Sequence, residues 1–256
     1  MSSFLRSFVR WLLAGAALLA IVFTTVSVQR GTRTPESPLA LPPLVIGDGG
    51  DRQVIHVDIA SPDSIQTVRS LPVTADGSII AWVQDNQRRL TPPFLMILAE
   101  RLYGYDREAA AVWYHTGLIR GRYDASRCTD RSADPALEML VALAPDIARY
   151  LRAHPVQWAT AAEQAIDSTF AETELSSPWW ICKHALAALR AGVRGEIPSD
   201  WMRPEEDWPE LRALALADYG DDVRDVVVAN PVTGATEGDS ERLAPSEDVT
   251  DDQSTN

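Results

Sequence analysis

The segment PPFLMILAERLYGYDREAAAVWYHTG, residues 92–117, decides the fold class. Pro92 and Pro93 fix the backbone as the first turn of a helix requires. Phe94, Ile97, Leu98, Arg101 and Leu102 then follow at helical spacing as an apolar stripe. Gly104 closes this helix, and Asp106 caps a second one running from Arg107 to Tyr123. A link this short makes the two helices antiparallel neighbours.

The same proline punctuation continues on either side. Upstream, Gln53 to Ile59 alternates, with Ile55, Val57 and Ile59 on one face, which predicts a short strand. Ser61, Pro62 and Asp63 form an N-cap, a first-turn proline and an early carboxylate, and Ile65, Val68 and Leu71 continue a short helix. A further helix spans Ile79 to Arg89. Downstream, Asp134 and Pro135 start a helix through Ala153 that buries Leu137, Leu140, Val141 and Leu143, with Pro145 bending or splitting it. Others run from Pro155 to about Thr169, from Trp179 to Ala191, and from Leu211 to Asp218 with Gly220 as terminator. Val226, Val227 and Val228 read as a second strand, paired with the one near Val57. The expected fold is mainly α: an antiparallel array of short helices with one or two short strands, preceded by a single transmembrane helix.

That last element is Trp11 to Val28, 18 uncharged residues. As a helix they span about 27 Å, near the roughly 30 Å hydrocarbon core. Arg6 and Arg10 precede the run, and Arg30 and Arg33 follow it. The length favours an uncleaved anchor over a cleaved signal peptide, for which Thr25-Val26-Ser27 would be a poor processing site. Long domains translocate readily, so the body is expected in the periplasm of a single-pass inner-membrane protein; the alternative is secretion after cleavage. The domain plan is an anchor at 1–29, a Pro/Gly tether at 30–52, a helical domain at 53–230 and a disordered acidic tail at 231–256.

Residues Pro93 to Gly104 followed by Arg107 to Gly117, with Ala110, Ala111, Trp113 and Tyr114 in the second helix, resemble the helix-turn-helix of Sel1 or tetratricopeptide repeats. In those families small alanines let the helices approach and the following aromatics fill the groove between them. The resemblance covers one hairpin, whereas stable solenoids stack about three repeats. It implies binding of a protein partner.

Net charge is -13, and the pI near 4.7 argues against nucleic acid, which needs a basic footprint. Two cysteines and four histidines leave little room for a structural zinc site. Cys182 and His184 point to different sides of a helix. Gly47 to Asp51 lacks the later ligands of a calcium loop. There is no Gly-x-Ser-x-Gly elbow, no phosphate-binding glycine loop and no His-Glu-x-x-His, so no catalytic, metal or cofactor residue is assigned. His115, beside Tyr114 on an apolar helix, reads as a packed histidine.

In an exported chain Cys128 and Cys182 are expected to form a disulfide, against the alternative of two buried thiols. Arg120, Arg122 and Tyr123, with Arg127 close by, could receive a carboxylate or phosphate, or pair with acids such as Asp124 and Asp130. Trp201 and Trp208 are candidate contact residues; Trp179 and Trp180 are expected in the core beneath the disulfide. The resulting expectation is a membrane-anchored extracytoplasmic protein-interaction module, with a cell-envelope hydrolase or a periplasmic immunity-like protein as alternatives.

Overall fold

Ser61 opens the helical part of the chain as expected: its hydroxyl accepts the Asp63 amide and starts α1, Pro62–Ser70. This computed structural model describes residues 41–47, 52–170 and 175–229. The expected anchor, most of the tether and the acidic tail therefore lie outside the described residues. Among the described residues, no helix is long and apolar enough to cross a membrane.

A small antiparallel hairpin, β1 (Leu44–Ile46) and β2 (Gln53–Ile55), precedes α1, so the folded domain begins inside the expected 30–52 tether, where Leu44 is buried in the core. The expected alternation is present, with Ile55 and Val57 half-buried and Ile59 buried. Regular pairing stops at Ile55, and its partner is Leu44–Ile46 rather than Val226–Val228. Gly47 follows β1 with φ of 83°, a conformation in which a side chain would be strained.

A 3-10 turn, Val73–Ala75, leads into α2, Asp76–Asn86. Next comes α3, Pro92–Leu102, which departs from the expected one-sided stripe. Every residue from Pro92 to Ala99 is buried, and so is Leu102. From Pro92 to Ala99 the helix is a central strut of the core, covered on all sides, which explains why that stretch is apolar without interruption.

Asp106 caps α4, Arg107–Ser126, by accepting the Ala109 amide at 3.0 Å. The α3–α4 hairpin is antiparallel: Arg120 reaches the carbonyls of Gln87 and Leu90, while Gly117 lies against Leu95 and Met96. A Cβ on Gly117 would sit 2.6 Å from Met96 Sδ, and one on Gly121 would sit 2.5 Å from Leu140 Cδ1. The two glycines let neighbouring elements close on α4 at van der Waals distance.

Pro145 does split the expected 134–153 helix. It becomes a 3-10 segment, Arg131–Leu137, then α5, Glu138–Leu143, and α6, Pro145–Ala153. α7, Pro155–Ser168, starts at the second proline and packs on α4. The expected Trp179–Ala191 helix is broken into α8, Trp179–Cys182, and α9, Leu186–Val193. Capping decides this break. Ser132 Oγ and Asp130 Oδ2 accept the amides of Leu186 and Ala187, so α9 begins afresh there.

The last helix corrects two expectations. α10, Trp208–Ala229, passes straight through Gly220 and absorbs Val226–Val228, which are helix and not strand. Leu211, Ala215, Tyr219 and Val223 are buried at steps of four, packing on α4 and α7. Their burial on both sides of Gly220 outweighs the roughly 1 kcal/mol a glycine costs inside a helix.

Candidate functional site

Cys128 follows α4 and Cys182 ends α8; they form a disulfide with Cα atoms 5.4 Å apart, buried at 0% and 1% exposure. Beside the bridge, residues 127–129 and 201–203 are laced by Arg203 N to Arg127 O at 2.8 Å and Thr129 N to Trp201 O at 3.1 Å. Trp201 stacks edge-on against Trp179 at 4.9 Å, and Trp179 and Trp180 are buried next to the disulfide.

The arginine cluster singled out in the sequence sits largely inside. Asp124, wholly buried, pairs with Arg127 and accepts the Trp180 indole N–H at 2.5 Å. The Arg127 guanidinium lies 4.5 Å from the Tyr123 ring and 5.0 Å from the Trp208 ring. Arg120 donates to the Gln87 and Leu90 carbonyls and to Ser176 Oγ. With Arg120 and Tyr123 at 4% and 1% exposure, neither can meet a ligand from solution without the core opening. Arg122 is the outward member, paired with Asp222 at 2.5 Å and resting on the Tyr219 ring. Trp208 is half-buried, its indole donating to the Arg203 carbonyl. The structure brings Arg127, Tyr123 and Trp208 together, and Trp201 stands apart against Trp179.

His115 is packed, as its position on an apolar helix suggested. It is fully buried between Tyr114, Trp158 and Tyr219, with Nδ1 2.5 Å from the Tyr219 hydroxyl. Burial pushes its pKa down to about 3, and the Trp158 backbone works weakly the other way. The same burial raises the Tyr219 phenol. A buried imidazole hydrogen-bonded to a phenol joins α4 to α10.

An open cleft of about 600 Å³ lies elsewhere, between the α1–α2 corner, the end of α3 and the start of α6. Arg101 organises it. Its guanidinium holds Asp76 Oδ1 at 2.6 Å and closes the last turn of α1 by donating to the Arg69 and Leu71 carbonyls. The Tyr105 hydroxyl donates to the other Asp76 oxygen at 3.1 Å, and this raises the phenol's pKa. Across the cleft, Glu100 accepts the amides of Asp146 and Ile147 at the N-terminus of α6. Partial burial nonetheless raises the Glu100 pKa, because desolvation outweighs those two bonds. The rim is open, with Val73 69% and Tyr105 65% exposed.

Sequence reasoning missed Asp76, Glu100 and Tyr105, and placed Arg101 in an apolar stripe. One pattern marks Glu100 and Arg101 alone: they are adjacent charges ending a helix that is otherwise apolar from Phe94 to Ala99, and nothing in the sequence links them to Asp76 or Tyr105. Among the described residues no group of three or more His, Cys, Asp or Glu side chains could hold a metal ion. Comparison with known proteins finds no match, whether among family models, curated proteins or solved structures.

Proposed function

We propose that this chain is a membrane-anchored extracytoplasmic helical domain that binds a protein partner in the Arg101 cleft. The observation that carries the reading is the pairing of an open rim with an occupied interior. Val73 and Tyr105 stand exposed at the edge, while Asp76 and Glu100 are already held by in-chain partners. Such a surface offers apolar and aromatic contact at its edge. The α3–α4 hairpin is the scaffold, in the manner that the Sel1 or tetratricopeptide resemblance implies. A buried disulfide agrees with an oxidising compartment. The apolar run Trp11 to Val28 supplies the anchor, residues 30–40 the tether and 231–256 a solvated acidic tail.

Photo-crosslinking in membranes of the source cell tests this. A discrete crosslinked species formed by the native chain should disappear in Val73→Glu and Tyr105→Glu and persist in a Leu214→Glu control on α10. A crosslinking pattern identical in all four chains would refute the cleft as the contact. Protease access to a tagged chain from the periplasmic side locates the domain independently.

A cell-envelope hydrolase is the second reading, and Glu100 is what favours it: a half-buried carboxyl with a raised pKa in a cleft suits a general acid. It requires that Glu100→Gln abolish glycan cleavage while Val73→Glu spares it.

A further inference from the structure

A dimple beside the disulfide takes no part in the Arg101 cleft. It measures about 60 Å³ and lies among Thr129, Cys182, Ala185, Ala188 and Trp201. That volume is well above the roughly 10–15 Å³ that admits one water. Of the two half-cystines only Cys182 lines it, at 1% exposure, while Cys128 is sealed at 0%.

The two ends of the bridge therefore have different surroundings. Cys128 Sγ lies 3.6 Å from the Asp124 carbonyl oxygen, beside the buried Asp124–Arg127 pair and the Trp180 indole. A thiol formed at Cys128 has an acceptor for its S–H already in place.

Trp201 is the wall of the dimple that is free to move. Its backbone is pinned, since its carbonyl accepts the Thr129 amide and the neighbouring Met202 bridges Cys128. Its side chain is held less firmly. The indoles of Trp180 and Trp208 donate to Asp124 and to the Arg203 carbonyl, whereas that of Trp201 makes no hydrogen bond among the described residues. Half-buried, it rests edge-on against Trp179 at 4.9 Å. A ring kept by packing alone on a fixed backbone can swing outward for the loss of little more than one aromatic contact.

We propose that the Cys128–Cys182 bridge opens from one side, to a small thiol that enters this dimple past Trp201 and attacks Cys182 Sγ. The attacking thiolate forms a new S–S bond to Cys182, and the old bond breaks with its electron pair on Cys128 Sγ. Water then returns to Cys128 the proton that the thiol released. The product is a mixed disulfide on Cys182 and a buried Cys128 thiol beside the Asp124 carbonyl. Cys182 is thereby a thiolation site, and Trp201 sets how fast it is reached. Attack at Cys128 would need the core itself to open.

The full chain in detergent micelles, incubated with 2-mercaptoethanol, tests this. Samples are quenched with acid, unfolded, capped with N-ethylmaleimide and mapped by peptide mass. The first adduct should carry mercaptoethanol on Cys182 and maleimide on Cys128. Trp201→Ala, which keeps the backbone contacts, should form it about tenfold faster. Val223→Ala weakens the packing of α10 away from the bridge and should leave the rate unchanged. Equal adducts on Cys128 and Cys182 overturn the proposal, because thiols then meet the bond only in the unfolded chain. A rate that rises in Val223→Ala as much as in Trp201→Ala overturns it for the same reason. So does a bond that resists the thiol equally in Trp201→Ala and in the native chain.

Discussion

Two networks of charge, one around Asp124 and one around Asp76, use the same chemistry in opposite settings. Each pairs an aspartate with an arginine and adds an aromatic donor, Trp180 in the first and Tyr105 in the second. Asp124 and Arg127 have side-chain exposures of 0% and 2%, enclosed by the Tyr123, Trp180 and Trp208 rings. Asp76 and Arg101 show 7% and 13% and stand at the wall of a cleft. A sealed pair has no water to fall back on when one member is lost, so it is rigid and costly to break. A pair at a cleft wall keeps partial solvation, so loss of one member costs less. Desolvation therefore separates the part of the molecule that holds it together from the part suited to meeting something else.

The contrast is broken most severely at the sealed end. Asp124→Ala leaves Arg127 charged and buried, and should destabilise the domain by about 3–5 kcal/mol in urea titration. Loss comparable to a surface substitution would mean that water reaches the pair. Next is the disulfide, which closes a span of 54 residues. Cys128→Ser with Cys182→Ser should cost roughly 2–4 kcal/mol, read as a lower urea midpoint that added reductant no longer changes.

His115 sharpens the contrast through pH. Its folded pKa lies near 3, below the unfolded value of 6.5, so the unfolded chain binds the proton more readily. Its contribution is fully present above pH 6.5 and is lost as pH falls toward 3, at about 1 kcal/mol per pH unit. His115→Asn should be less stable at neutral pH, yet show a shallower loss of urea midpoint on acidification across that window. Matching slopes for the two chains would show that His115 is not the group titrating.

At the cleft the effects shrink. Asp76→Asn keeps the shape and removes the charge facing Arg101; the expected cost is about 1–2 kcal/mol, smaller than at Asp124, with the crosslinked species retained. Smallest of all is Glu100. Its pKa is raised on folding, so its ionisation opposes the fold and stability declines as pH rises through that raised value. Glu100→Gln should flatten the decline, leaving the variant slightly more stable at neutral pH, by less than about 1 kcal/mol given its partial exposure.

Which features could be read in advance follows from the range of the forces involved. Ser61, Asp106, Pro145 and Pro155 act on amides and dihedrals within a turn or two, so the helix starts and the split after Leu143 were legible. Gly220 misled because its local cost is outweighed by the burial of Tyr219 and Val223 against α7 and α4, which lie far away in sequence. Val226–Val228 misled because β-branched residues favour a strand only weakly, and they continue a helix already stabilised upstream. The cleft was invisible for a similar reason. Asp76 and Arg101 are 25 residues apart, and Glu100 and Asp146 are 46 apart. Only the fold brings them to one wall.

The sequence by itself determined that the described part of this protein is mainly helical, where most of its helices begin, and that Cys128 and Cys182 would suit a bridge. Those are consequences of local capping, backbone geometry and apolar period. The tertiary structure alone decided that α3 is buried on every side from Pro92 to Ala99, that Asp124 is sealed while Asp76 lines a cleft, and that the leucines of α9 are left facing outward. Each of these depends on which surfaces lose their water, and that is settled by packing between segments distant along the chain.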